Sequence, residues 1–286
     1  MVIASEFYFP SSDGRTLIHV NQWTPLGGPV AGVVQIAHGV AEYGARYESF
    51  ARFLCGHGFA VVANDHLGHG KSLVEGCPMV YFGDENGWRH AVEDMEELRR
   101  RTAKVFPGVP YFLFGHSMGS FLSRTHLIRY PGRLDGCVLC GTGHMSPALI
   151  AGGKLIAPNR TRFDWISTSE ANVDAYIADP LCGGDTTLGL FRDMLGGLGI
   201  ITKQANIERM DKDLPVLFIA GDQDPVGEMG KGVRRAYQAF RKAGVGDVSI
   251  KLYHGLRHEI LNEASRRYVY QDVLDWLETR AERVDK

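Results

Sequence analysis

From residue 31 onward, the sequence alternates short apolar runs with longer segments that have helical periodicity. Runs such as residues 31–39 and 59–65 are too short for helices, whereas residues 88–106 repeat their apolar side chains at helical spacing. This alternation predicts an α/β fold, in which mostly parallel strands form one sheet with helices on both faces. The first 25 residues instead contain two strand-like runs around a Ser-Asp-Gly turn, which predicts an antiparallel hairpin at the sheet edge.

The alternation stops between residues 144 and 213, where helical pieces and glycines occur without a strand pattern. A stretch of this length is not a plain connection in a compact domain, so we interpret it as an inserted segment, called the cap below. We therefore predict an α/β core made of residues 1–143 and 214–286, with residues 144–213 as a helical cap. Ligands of such sheets bind beyond the carboxyl ends of the strands, where the cap would cover them.

The overall composition argues against several functional classes. A net charge of −2 over 286 residues provides no broad basic surface for nucleic acid. No apolar stretch reaches the length of a transmembrane helix. The five cysteines are an odd and scattered set, which argues against a disulfide framework and favours a reducing compartment. We therefore expect a cytoplasmic protein with no transmembrane segment.

Cys137 and Cys140 form a C-x-x-C pattern inside a run that reads as a buried strand. Positions three apart in a strand point to opposite faces, so we expect buried small hydrophobes instead of a redox pair or zinc ligands. No His, Asp and Glu cluster has the spacing of metal ligands either. The sequence therefore predicts neither a metal nor a cofactor.

The pentapeptide Gly115-His116-Ser117-Met118-Gly119 follows an apolar strand-like run and precedes a helical segment. In this context a G-x-S-x-G sequence is typical of a nucleophilic serine on a sharp strand-to-helix turn. Glycines two positions before and after the serine let neighbouring backbone approach without a Cβ clash. The alternative is a serine that only caps the helix. We predict that Ser117 is the nucleophile.

A nucleophilic serine needs a base, and the base needs an acid that orients it. Asp224 follows one predicted strand and His258 follows the next, so both fall at the sheet edge that carries Ser117. Asp222 and His254 compete for these roles, although Asp222 also suits a turn and His254 still lies at the strand end. We predict that His258 is the base and that Asp224 orients it.

Acyl transfer also needs backbone donors for the oxyanion of the tetrahedral intermediate. Met118 follows the serine and supplies one amide. His38-Gly39-Val40 ends an early strand-like run, so the Val40 amide is the candidate for the second donor. The alternative is that His38 and Gly39 merely turn the chain.

Three motifs together resemble the monoacylglycerol lipase and lysophospholipase branch of the α/β hydrolases. They are residues 38–47 (HGVAEYGARY), 65–72 (DHLGHGKS) and 115–119 (GHSMG), which match its H-G-x-x-E-x-x-x-R-Y loop, its D-x-x-G-H-G-x-S loop and its serine pentapeptide. The resemblance covers nearly the whole chain. It implies an α/β-hydrolase fold, a triad of Ser117, Asp224 and His258, and oxyanion donation by the Val40 and Met118 amides.

The branch implies a serine hydrolase for a single-chain acyl ester, such as a monoacylglycerol, a lysophospholipid or a similar small molecule. Amide hydrolysis of the aminopeptidase type and cofactor-free perhydrolysis are alternatives, because one scaffold supports several reactions. A catalytically idle binding protein is a third class. It is disfavoured because all three triad residue types occur in the expected order.

Four apolar side chains of the cap share one face of a predicted helix: Phe191, Met194, Leu195 and Leu198. We predict that this face points into the active-site cavity and recognises the acyl chain, and that the cap makes transient contact with lipid surfaces. The alternative is that these side chains pack inside the cap. The glycines that follow or interrupt the run, Gly196, Gly197 and Gly199, predict a bend or hinge.

Overall fold

A computed structural model describes residues 1–144 and 159–284 of the chain. Its strands form one sheet in the order β1-β2-β4-β3-β5-β6-β7-β8. The bounds are β1 Val2–Pro10, β2 Leu17–Pro25, β3 Gly32–Ala37, β4 Phe59–Asn64, β5 Tyr111–His116, β6 Gly136–Cys140, β7 Val216–Gly221 and β8 Val248–Tyr253. β1 and β2 pair antiparallel, β2 also pairs antiparallel with β4, and the remaining pairs are parallel. The predicted fold class is confirmed.

Helices connect the strands and cover both faces of the sheet. They are α1 Glu48–Gly56, α2 Gly87–Val105, α3 Met118–Arg129, α4 Glu170–Ala178, α5 Leu188–Ile201, α6 Gln204–Ile207, α7 Lys231–Lys242 and α8 Arg266–Val284, with short 3-10 helices at Gly44–Tyr47 and Asp164–Ile166. Strand β5 shows how the core is divided. Leu113 packs in the cluster on one face, whereas Phe112 and Phe114 pack on the other. This alternation follows from the two-residue repeat of a strand.

The described part of the cap, residues 159–213, joins β6 to β7 and contains helices without any strand. Helix α5 differs from the predicted bend, because it continues through its three glycines as one helix. A Cβ atom on Gly197 would lie 2.2 Å from Cε2 of Trp88. We conclude that this glycine permits close packing of α5 on the core.

The ends of two helices also differ from the sequence pattern. Val105 continues the apolar spacing of α2, yet it is 63% exposed because it lies in the last turn. The sequence pattern predicts a terminal helix from about Glu259, whereas the C-terminal helix of the structure begins at Arg266. Glu259 and Glu263 instead bind groups of neighbouring loops. No helix in the described residues is long and apolar enough to cross a membrane.

Candidate active site

Ser117 lies on a strained turn between β5 and α3. Its backbone has a φ of 52° and a ψ of −122°, which a residue with a side chain rarely adopts. The Ser117 amide donates to the Cys140 carbonyl at 3.0 Å and so ties the turn to β6. A Cβ atom on Gly119 would lie 2.0 Å from the Ala37 carbonyl oxygen. The glycine of the pentapeptide is therefore required where α3 crosses the end of β3.

His258 and Asp224 meet beyond the ends of β8 and β7. Nδ1 of His258 lies 2.9 Å from Oδ2 of Asp224, and the Val226 amide donates to the other carboxylate oxygen at 2.9 Å. Asp224 is fully buried. His258 and Ser117 line the same cavity. The structure thus brings together the three side chains selected from the sequence.

The competing pair, Asp222 and His254, forms a separate contact at the surface. Nδ1 of His254 lies 2.9 Å from Oδ2 of Asp222, and the histidine side chain is 97% exposed. The Gly255 amide donates to the other Asp222 oxygen at 2.8 Å. Asp222 therefore orders the loop after β8, as a turn residue would.

Val40 and Met118, the two residues predicted to stabilise the oxyanion, both lie close to Ser117. Val40 lines the cavity that contains Ser117. Met118 is the first residue of α3, so its amide has no partner within the helix. A Cβ atom on Gly39 would lie 3.0 Å from Cβ of Ser117. The chain before Val40 consequently approaches the serine as closely as packing allows.

Two comparisons with known proteins agree with this geometry. Residues 28–265 match the protein family described as serine aminopeptidase S33. The chain is 33% identical to a monoacylglycerol lipase of Mycolicibacterium smegmatis over 96% of each chain. This chain belongs to the S33 family of α/β hydrolases. It is a serine hydrolase, and the predicted resemblance to the monoacylglycerol lipase branch is confirmed.

Further relatives of this hydrolase include a human monoglyceride lipase, which is 29% identical over 94% of this chain and 89% of its own. Among solved structures, a thermostable carboxyl esterase from Bacillus coagulans superposes with a TM-score of 0.91. It is 28% identical, and the match covers 97% of this chain and 99% of the esterase.

A buried network of charges lies beside the serine of this hydrolase. Oε1 of Glu42 accepts from the Gly39 amide at 2.6 Å and from the Tyr47 hydroxyl at 2.9 Å. Oε2 of Glu42 accepts from Arg46 at 2.8 Å. Burial opposes ionisation of Glu42, but the hydrogen bond and charge of His116 and the charge of Arg46 outweigh it and lower its pKa.

His116 joins this network to the loop of His258. Its Nδ1 lies 2.9 Å from Oε1 of Glu42, and its Nε2 lies 3.3 Å from the carbonyl oxygen of His258. Burial favours the neutral ring, but the hydrogen bond and charge of Glu42 prevail and raise the pKa of His116. The Tyr47 hydroxyl also lies 2.8 Å from Nδ1 of His116, so the ring joins Tyr47, Glu42 and the His258 loop.

The sequence motifs contain Glu42 and Arg46, but their pattern predicted no role for either residue. Glu259, which contacts Arg46 from the position after His258, was not predicted either. The spacing of Glu42 and Arg46, four residues apart, could have indicated their pairing. No local pattern could have indicated the bond between Arg46 and Glu259, which are 213 residues apart.

The cavity over Ser117 has a volume of about 140 Å³ and receives three aromatic side chains from the cap: Phe163, Trp165 and Tyr176. The centroid of the Trp165 ring lies 5.0 Å from that of His258. Within the described residues, no group of three His, Cys, Asp or Glu side chains is arranged to hold a metal ion.

The four α5 side chains predicted for the acyl site lie away from the cavity over Ser117, as the described residues define it. None of the four is among the described residues that line the cavity. Leu198 is buried in the main core, and the partly buried Met194 and Leu195 pack against that core. Phe191 is 39% exposed. The reason is that α5 packs on α2 and α3, so that its apolar side chains divide between the core and the surface.

Proposed function

We propose that this hydrolase cleaves carboxylic esters of a single acyl chain, such as monoacylglycerols or lysophospholipids, through an acyl-enzyme on Ser117. The proposal is carried by one observation. A serine with a strained backbone shares a cavity with a histidine whose Nδ1 faces a fully buried aspartate. The names of the lipase and esterase relatives support an ester as the substrate class.

In the acylation step, Oγ of Ser117 attacks the ester carbonyl while Nε2 of His258 takes the hydroxyl proton. The carbonyl oxygen becomes an oxyanion that the Val40 and Met118 amides stabilise. Collapse of the intermediate breaks the bond to the alcohol oxygen, which leaves with the proton from His258. Water then repeats the sequence on the acyl-enzyme and releases the acid. Asp224 holds the imidazole in the required tautomer throughout.

The cavity supports an ester over an aminoacyl amide. An aminopeptidase would need a carboxylate that is free to bind the α-amino group of its substrate. Among the described residues, two carboxylates line the cavity, Glu42 and Glu259. Each already accepts several hydrogen bonds from protein groups, including Arg46 in both cases. The charge of each carboxylate is therefore already paired with Arg46, which leaves neither as a dedicated partner for a substrate ammonium group.

Transient contact of the cap with lipid surfaces is part of the proposal. Helix α5 exposes three apolar side chains: Leu188 at 88%, Phe191 at 39% and Ile200 at 38%. Leu188 and Phe191 are three positions apart on the helix, so their side chains share one face and form the apolar surface that we propose contacts lipid. Sedimentation with neutral phosphatidylcholine vesicles should therefore recover more wild-type protein than a variant in which Leu188 and Phe191 are both serine. Equal recovery would contradict this part of the proposal.

The substrate class is tested with a series of p-nitrophenyl esters of increasing acyl length, a monoacylglycerol, a lysophosphatidylcholine and aminoacyl p-nitroanilides. We expect turnover of esters and little turnover of the anilides. Ser117→Ala protein serves as the control for background hydrolysis. Faster turnover of the anilides than of every ester would contradict the proposed function.

A further inference from the structure

The residue after His258 connects three parts of the site. The Glu259 amide donates to the Ile166 carbonyl in the cap at 2.6 Å. Its carboxylate receives both terminal nitrogens of Arg46, at 2.7 and 2.9 Å. It also accepts from the side-chain amide of Asn172, on cap helix α4, at 2.8 Å. Glu259 is 5% exposed, so these bonds are formed away from water.

From Arg46, the contacts continue to the loop that carries the second oxyanion donor. Arg46 also donates to Oε2 of Glu42 at 2.8 Å, and Oε1 of Glu42 accepts from the Gly39 amide at 2.6 Å. Gly39 immediately precedes Val40. A continuous series of hydrogen bonds therefore links the backbone beside His258 to the peptide beside the Val40 amide.

The cap holds the same loop at a second point. The Tyr176 hydroxyl of α4 donates to the Ala41 carbonyl at 2.9 Å, and the Gly183 amide donates to the same oxygen at 3.0 Å. The guanidinium carbon of Arg46 lies 4.8 Å from the centre of the Tyr176 ring. Displacement of α4 would thus remove partners from the loop of His258 and from the loop of Val40 at the same time.

We propose that Glu259 is a positioning residue. Its bonds make the positions of His258 and of the Val40 amide depend on whether the cap is packed as in this structure. With α4 in its observed position, Asn172 and Arg46 hold the Glu259 carboxylate in one orientation. This fixes the loop of His258 and the loop of Val40, which lie on either side of the reacting carbonyl. Displacement of α4 removes the Asn172 bond from the carboxylate, and displacement of the 3-10 helix Asp164–Ile166 before it removes the Ile166 bond from the loop of His258. The cap then controls the rate of the chemical steps as well as substrate binding.

This inference rests on the proposed serine mechanism, and the chain provides a matched pair of variants that test it. Asn172 and Asn262 donate to the same oxygen of Glu259, at 2.8 and 3.0 Å. Only Asn172 belongs to the cap, whereas Asn262 lies on the loop of His258 itself. If the bonds merely solvate a buried carboxylate, Asn172→Ala and Asn262→Ala should have equal effects.

The experiment measures kcat and KM on p-nitrophenyl acetate, whose acyl group is too short to need an acyl pocket. We expect Asn172→Ala to lower kcat about fivefold with KM changed less than about twofold, and Asn262→Ala to lower kcat less than about twofold. Glu259→Gln retains the size of the side chain but places a donor against Arg46, and should lower kcat about 10- to 100-fold. Adding Asn172→Ala to Glu259→Gln should have little further effect.

The rate of labelling by a fluorophosphonate provides a second readout that does not depend on the ester. It also gives the fraction of competent sites, which corrects kcat for any misfolded protein. If wild type is labelled but hydrolyses no ester, the proposed substrate class fails and the comparison continues on labelling rates. Equal effects of the two asparagine variants, a change in KM alone, or full additivity in the double variant would each overturn the role of Glu259.

Discussion

Nδ1 of His258 lies 2.9 Å from Oδ2 of Asp224, a carboxylate that is fully buried. In the proposed mechanism, this contact directs the Nδ1 proton to the aspartate and leaves Nε2 free to take a proton from Ser117. Asp224→Asn should stabilise the wrong tautomer and lower kcat roughly 10³- to 10⁴-fold, with the fold unchanged. Steady-state kinetics on a short p-nitrophenyl ester measure the loss.

Asp222→Asn is the matched control, because Asp222 contacts His254 at the same distance of 2.9 Å but at the surface. We expect its kcat to stay within about twofold of wild type. If the Asp222 variant lost activity and the Asp224 variant kept it, the assignment of the orienting acid would be reversed.

Asp94 gives the protein a pH-dependent contribution to stability. Burial raises the pKa of this carboxyl group to about 6, although Ser11 and Ser12 donate hydrogen bonds to it. The folded protein therefore binds the proton more tightly than the unfolded chain, whose aspartate pKa is about 3.9. The stabilisation is complete below about pH 4 and is lost as the pH rises through about 6.

Asp94→Asn removes this titration and leaves every other titrating group in place. Between pH 4 and pH 7, the free energy of unfolding of wild type should fall relative to that of the variant. The fall should be at most on the order of 3 kcal/mol. Urea denaturation of both proteins across this range measures the difference. A difference that is independent of pH would show that Asp94 is ionised in the folded protein throughout.

Two adjacent glycines of α5 should respond to alanine in opposite directions. A Cβ atom on Gly196 meets no described atom within 4 Å, so Gly196→Ala should stabilise the protein by about 0.5 to 1 kcal/mol through helix propensity. At Gly197 the Cβ atom would lie 2.2 Å from Trp88, so Gly197→Ala should destabilise it by about 1 to 3 kcal/mol. Urea denaturation measures both changes. A destabilised Gly196 variant would argue that α5 bends there.

Trp165 should influence ester hydrolysis more than Phe191 does. Trp165 lines the cavity with its ring centroid 5.0 Å from that of His258, whereas Phe191 is 39% exposed on α5. Trp165→Ala should lower kcat/KM about tenfold, which corresponds to loss of about 1.4 kcal/mol of apolar contact in the transition state. Phe191→Ala should change it less than twofold. If Phe191→Ala lowered kcat/KM by more than twofold, and more strongly for esters with longer acyl chains, Phe191 would belong to the acyl site.

The sequence was sufficient to predict the fold and the grouping of Ser117, Asp224 and His258 at one edge of the sheet. Each follows an apolar strand of a parallel sheet, and such strands end at one edge. The face of α5 could not be placed in the same way. Apolar side chains at helical spacing pack equally well on a core or around a ligand, and Leu198 is buried in the core.

The charged network was also beyond prediction from the sequence. Arg46 and Glu259 meet because the loop after β8 passes the loop after β3, although the two residues are 213 positions apart. Their pairing depends on tertiary geometry that local periodicity does not encode.

The most direct test of the mechanism is mass spectrometry of the protein quenched during turnover of a slowly hydrolysed p-nitrophenyl ester. The peptide that contains Ser117 should gain the mass of the acyl group, and a fluorophosphonate should modify the same residue. Folded Ser117→Ala protein should show neither adduct and should lose roughly 10⁴- to 10⁶-fold in kcat. An acyl adduct on a different residue, or a folded Ser117→Ala protein with wild-type turnover, would contradict the mechanism.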